Sequence, residues 1–403
     1  MKKILLFGLL LLCITGCSLS SKPLEDKENN ESSLSEEERI TKKVNETFEK
    51  MTIDEKIGQM LMISYRYPNF DQTIQNNLEA VKPGGFILFK ENVTTFEKTK
   101  AFVDQVKKTA DIPMLIGIDQ EGGKVQRIKN LEDANVLEIP PMYEVGKTND
   151  EELSYQVGKV VAEELTPFGI NLDFAPSVDI FSNPENTVIG NRAFGSDAAT
   201  VVKMALPFAR GLKENHVIPV VKHFPGHGDT MTDSHYDLPV VTKTKEELWQ
   251  QEILPFQAAI DDGIEMVMVA HIALPNVTGN MIPASLSKEI VTDFLRKELN
   301  YQNIVITDAI DMKALSERYS LKEICTMAIN AGVDIILMPP ESKDALKVIK
   351  EALSEGTIQE EQINTSVKRI LTLKYKNKLD QEQVFSKENI GTEEHQEIIN
   401  KLK

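Results

Sequence analysis

Eight times along this 403-residue chain, a short apolar, β-branched run is followed by a longer amphipathic stretch. No other feature restricts the fold as much. The strand-like runs are 59–64, 85–89, 114–119, 170–178, 217–224, 266–271, 304–308 and 334–338. The stretches with helical spacing between them include 95–108, 151–165, 199–215, 245–261, 287–298, 321–330 and 343–354. Ile363, Val367, Ile370 and Leu371 add a last amphipathic helix. Regular strand–helix alternation makes parallel strands joined by crossover helices, and eight such units make a single (β/α)8 barrel of the TIM type. The alternative is a doubly wound open sheet. No GxGxxG follows an early strand, which weakens a dinucleotide-binding reading. The sequence shows no internal repeat and no second-domain boundary.

The barrel is expected over 35–376. Ser35 with Glu38 forms a capping box ahead of Ile40, Val44 and Phe48 at helical spacing, and Thr52 with Glu55 repeats that signal. A polar C-terminal tail is expected over 377–403. Ahead of the barrel, Met1-Lys2-Lys3 and the apolar run 4–14 read as a signal peptide ending at residue 16. The apolar run is too short to span a bilayer, which takes roughly 20 residues. Ile14-Thr15-Gly16-Cys17 resembles a bacterial lipobox, so Cys17 is the expected lipidation site and the protein is expected to be anchored rather than spanning. Residues 17–34 are mostly Ser, Asn, Glu and Lys and read as a flexible tether. Cys13 would leave with the signal, so Cys325 is the only free thiol of the body and no intrachain disulfide is expected. A net charge of −17 argues against nucleic acid as a partner.

In a barrel the active site lies at the C-terminal ends of the strands. Here five of those ends carry polar groups: Asp119-Gln120-Glu121, then Asp173 and Asp179, then the segment 222–235, then His271, then Thr307-Asp308. Such groups are costly unless paired or functional. The segment KHFPGHGDTMTDSH (222–235) is the densest and holds three of the six histidines. His223 and His227 stand four apart across a Pro-Gly break, so they do not share a helix face, and no HExxH is present; no metal is expected.

KHFPGHGDTMTDSH, with DQEGGKVQR upstream and ITDAIDM downstream, resembles the β-N-acetylglucosaminidase branch of family 3 glycoside hydrolases. The resemblance runs from about Met51 to about Tyr375 and includes FAPSVDI, IGNRAFGSD, PASLS and AGVDIILMP. It implies Asp308 as nucleophile, at the end of a rigid apolar strand. Asp311, three residues on, is the local competitor, for which a cap role is expected. The resemblance also implies His235 as acid/base, oriented by Asp233. An imidazole titrates near neutrality, so it can protonate a leaving group and later deprotonate water. Asp119, Arg192, Lys222 and His223 are the implied sugar-binding set. Asp179 and His271 either join them or tie loops together. Asp173 and Asp229 are expected to be structural.

The implied activity is that of a retaining exo-β-N-acetylglucosaminidase that works through a covalent glycosyl-enzyme. With a lipid anchor facing outward, peptidoglycan-derived saccharides or muropeptides are the expected substrates, at the extracytoplasmic face of the cell membrane. No cofactor and a monomer are expected. A broader β-hexosaminidase or glucosidase, an N-acetylglucosamine phosphorylase and a sugar-binding lipoprotein are the alternatives.

Overall fold

A computed structural model describes residues 34–402 apart from 130, 132, 231–233 and 235. Cys17, the signal segment, nearly all of the tether, Asp233 and His235 lie outside the described residues. All eight expected strands form, in one parallel sheet. They are β1 (Leu61–Ile63), β2 (Gly85–Leu88), β3 (Leu115–Ile118), β4 (Leu172–Asp173), β5 (Ile218–Phe224), β6 (Met266–Val269), β7 (Ile304–Thr307) and β8 (Ile336–Leu337). β8 pairs with β1 through Leu61 and Ile336. Ile306 of β7 bridges Ile335 just before β8, and this contact closes the ring into the expected (β/α)8 barrel.

Every residue of these eight strands is buried. This is why the runs read as continuously apolar rather than alternating. The barrel interior leaves no spare volume: a Cβ on Gly117 of β3 would lie 2.6 Å from the Met62 Cε. β4 is regular only over Leu172–Asp173, but pairing with β5 resumes around Pro176, whose carbonyl accepts the Lys222 N–H, and Ser177 bridges Lys222.

The connecting helices start where capping residues stand. Thr95 caps Phe96–Lys108, and Asp150 caps Glu151–Leu165. The stretch 245–261 divides into Lys245–Gln250 and Ile253–Asp261. Glu289–Glu298 is wound more widely than an α-helix. Both capping boxes, at Ser35 and Thr52, form. The helix Glu36–Phe48 packs on Glu360–Lys376, and Thr47 meets the Tyr375 hydroxyl at 2.7 Å.

The chain beyond 376 departs from a mere polar tail. Glu393–Asn400 is a helix with His395, Ile398 and Ile399 buried. Its apolar stripe is only two isoleucines wide, too slight to register as a core element in the sequence. It docks on Glu151–Leu165, where His395 Nε2 lies 2.7 Å from Glu163. Beneath it, burial pushes the Glu164 carboxyl up to about 8, although Glu164 accepts the N–H groups of Leu137 and Gly391.

Candidate active site

The C-terminal ends of the strands converge on an open cavity of about 450 Å³. Its wall contains Asp119, Arg192, Lys222, His223 and Asp308, five of the residues expected to form the site. Ser234, which stands between Asp233 and His235, also lines it, and the Ser234 carbonyl accepts the Ala314 N–H at 3.2 Å.

A chain of alternating charge forms one wall. Arg127 donates to Asp119 Oδ2 at 3.3 Å. Lys222 Nζ lies 3.0 Å from Asp119 Oδ1 and 2.5 Å from Glu121 Oε1. Arg192 clamps both oxygens of Glu121, each at 2.7 Å. Lys222 is 2% exposed. Burial disfavours its charge, yet Glu121 and Asp119 outweigh that and raise its pKa, so it stays an ammonium. For Glu121 burial works against ionisation, and Arg192 and Lys222 reverse this and hold its carboxyl well below the usual range. The result is a set of fixed charges, cationic donors alternating with carboxylate acceptors, with little freedom to move.

This chain depends on a hairpin that the sequence reading missed. After β3 the backbone doubles back through Gln120–Gly122 and Val125–Gln126, turning at Gly122 and Gly123, with φ of 107° and 56°. The turn brings Arg127 back beside Asp119. Arg127, which was not singled out, and Glu121, named only among the polar groups at the strand ends and given no role, thus belong to the site. The Gly-Gly turn inside DQEGGKVQR was the available signal.

A second cluster holds His223. Asp179, on the loop after β4, lies 2.6 Å from His223 Nδ1 and also accepts the His223 and His227 backbone N–H groups. Arg192 approaches His223 Nε2 at 3.5 Å. Burial would raise the Asp179 carboxyl, but the adjacent His223 outweighs it and the net shift is downward. Asp179 therefore buttresses the site from below. His271 likewise ties loops together, with Nδ1 2.7 Å from the Ser285 hydroxyl and Nε2 3.0 Å from the Ala309 carbonyl. Asp173 is buried, accepts the Gln120 N–H at 2.9 Å, and is raised by burial to about 8, which suits the structural role expected of it. Asp229 lies 3.2 Å from Lys243, also a structural position.

Asp308 follows β7 directly. Its N–H donates to Val269 at 3.0 Å, which fixes it to the neighbouring strand, and its Oδ1 accepts the Ala309 N–H at 2.7 Å. Burial pushes its carboxyl up, but the imidazoles of His271 and His223, the Ala309 N–H and the Lys222 ammonium outweigh burial. The carboxyl therefore sits below its ordinary value and faces the cavity as a carboxylate. Asp311 lines the cavity mouth, 3.9 Å from Arg66, rather than capping the next helix, whose cap is Met312. The backbone turns between Asp308 and Asp311 and carries the second carboxylate outward. Among the described residues no group of three or more His, Cys, Asp or Glu is arranged to hold a metal ion.

The architecture has many counterparts. The chain is 32% identical over 370 residues to beta-hexosaminidase A of Pseudoalteromonas piscicida, covering 81% of this chain and 61% of that protein. It is 32% identical over 329 residues to beta-hexosaminidase LpqI of Mycobacterium tuberculosis, covering 79% and 82%. It superposes on a glycoside hydrolase family 3 beta-N-acetylglucosaminidase from Paenibacillus with a TM-score of 0.83 at 35% identity, covering 87% of this chain and 68% of that one. The glycosyl hydrolase family 3 N-terminal domain matches residues 52–373, and the chain belongs to that family.

Proposed function

We propose that this chain is a retaining exo-β-N-acetylglucosaminidase. The observation that carries the reading is Asp308: a carboxylate held ionised on a strand end, facing a cavity walled by fixed charges. Asp308 attacks the anomeric carbon of a terminal sugar and forms a covalent glycosyl-enzyme. Asp119, Lys222, His223 and Arg192 hold the hydroxyls of that sugar. His235, oriented by Asp233, protonates the departing oxygen and then deprotonates the incoming water. The cavity-lining position of Ser234 supports this role for its two neighbours. The name of the Paenibacillus enzyme supports N-acetylglucosamine as the sugar released, and the names of the two beta-hexosaminidases support a hexosamine. Lipidation at Cys17 would place the protein on the outer face of the cell membrane, with peptidoglycan-derived saccharides as substrates. A monomer with a barrel at 35–376 and a tether at 17–34 completes the reading.

Hydrolysis of 4-nitrophenyl N-acetyl-β-D-glucosaminide beside the matching β-glucoside tests it. The wild type should cleave the first. Asp308→Ala should remove activity and His235→Ala should reduce it by about 10²–10⁴-fold. A wild type that binds sugar and cleaves neither substrate would mark a binding protein instead.

A further inference from the structure

The segment that contains His235 is tied to the segment that follows Asp308. One residue before His235, the Ser234 carbonyl accepts the Ala314 N–H at 3.2 Å. Two residues after it, Asp237 Oδ1 accepts Arg318 Nη2 at 2.6 Å, and the same oxygen accepts the Leu238 N–H at 2.8 Å. Leu238 itself packs with Ala314 and Ala273 in a small buried cluster. The far side of these ties is anchored in the barrel. The Asp308 N–H donates to Val269 of β6 at 3.0 Å, and the Ile310 N–H donates to Leu337 of β8 at 3.0 Å. Ala314 stands in the first turn of the helix Lys313–Ser316, where a backbone N–H has no partner within the helix, so its donor is available to Ser234. The Arg318 N–H closes on the Leu315 carbonyl at 2.9 Å. One continuous stretch, 308–318, thus carries Asp308 at one end and Arg318 at the other.

We propose that Arg318 is a positioning residue for the acid/base: by holding Asp237 it sets where His235 stands relative to Asp308. The inference rests on the reading of His235 given above. A retaining glycosidase needs its nucleophile and its acid/base at a fixed separation about the bond that breaks. Here the two come from strand ends far apart in sequence, and an error of about 1 Å between reacting groups is costly. Referring both to the stretch 308–318 removes that error. Arg318 and Asp237 have 46% and 65% of their side chains open to solvent. Such a pair adds little to stability, so its loss should show in the step that uses His235 and not in folding.

The test compares kcat/KM on phenyl N-acetyl-β-D-glucosaminide, whose leaving oxygen needs a proton, with the 2,4-dinitrophenyl glycoside, whose leaving group departs without one. Arg318→Ala and Asp237→Ala should each lower the first about two- to fivefold and leave the second, and the thermal unfolding midpoint, unchanged. The exchanged pair, Arg318→Asp with Asp237→Arg, should recover part of the loss. In His235→Ala, adding Arg318→Ala should cost nothing further on the phenyl substrate, because both changes act through one proton transfer. Equal loss on both substrates, a loss that persists in His235→Ala, or no loss at all would overturn the proposal. A His235→Ala variant that cleaves the phenyl substrate as well as wild type would instead remove the underlying reading, and the two failures are thereby distinguished.

Discussion

The two ends of the barrel both bury ionised groups, but in different ways. At the N-terminal end, Asp334 is completely enclosed. It accepts hydrogen bonds from Arg296 at 2.6 Å, Ser366 at 2.9 Å, the Val305 N–H at 2.9 Å and Arg369 at 3.2 Å. Every lone pair there is met by the protein itself. At the C-terminal end, Asp119, Lys222 and Glu121 are as well paired, but the cluster opens onto a cavity, Arg127 Nε has no partner and neither does His227 Nε2. Burial of charge is therefore not what marks a site in this molecule. What separates the two clusters is that the one at the C-terminal end faces an open cavity.

The largest effect that could break this comparison is on stability at the closed end. Asp334→Ala leaves two arginines buried without their carboxylate and should cost about 3–5 kcal/mol, read from denaturant unfolding, while kcat/KM of the folded fraction stays unchanged. Lys222→Met at the open end should lower kcat/KM by about 10²–10³-fold, since it removes a preorganised donor. If Asp334→Ala reduced kcat/KM as much as Lys222→Met did, the distinction between the two ends would fail.

A smaller effect comes from Lys374, fully buried with Gln59 at 2.6 Å and lowered by burial to about 7. Its charged form is disfavoured by folding, so the penalty is full below pH 7 and shrinks as pH rises toward the unfolded value of 10.5. Lys374→Met should therefore stabilise the protein by about 1–3 kcal/mol below neutrality, with the advantage fading at alkaline pH in thermal unfolding. The smallest predicted effect concerns Asp308. With its carboxyl held below the ordinary 3.8, the acid limb of kcat/KM assigned to it should fall below that pH, and Lys222→Met should move the limb upward.

The barrel was legible because fully buried parallel strands must be apolar throughout and because capping residues mark where helices start. Asp119, Lys222, His223 and Asp308 were legible because each stands at the end of such a strand, and Arg192 because it sits in a distinctive loop motif. Glu121 and Arg127 were harder to find. Their place depends on a hairpin of five strand residues, whose signal is two glycines rather than a periodicity. The choice between binding and tying loops for Asp179 and His271 depended on distances across elements far apart in sequence. His227 was visible in the motif, but its unmet nitrogen is a property of packing alone.

The most direct measurement is trapping with a slowly hydrolysed 5-fluoro glycosyl fluoride of N-acetylglucosamine, followed by peptide mapping. One sugar per chain is expected, attached to Asp308 and absent in Asp308→Ala. A sugar on Asp311 or Asp119, or turnover with no covalent adduct, would contradict it.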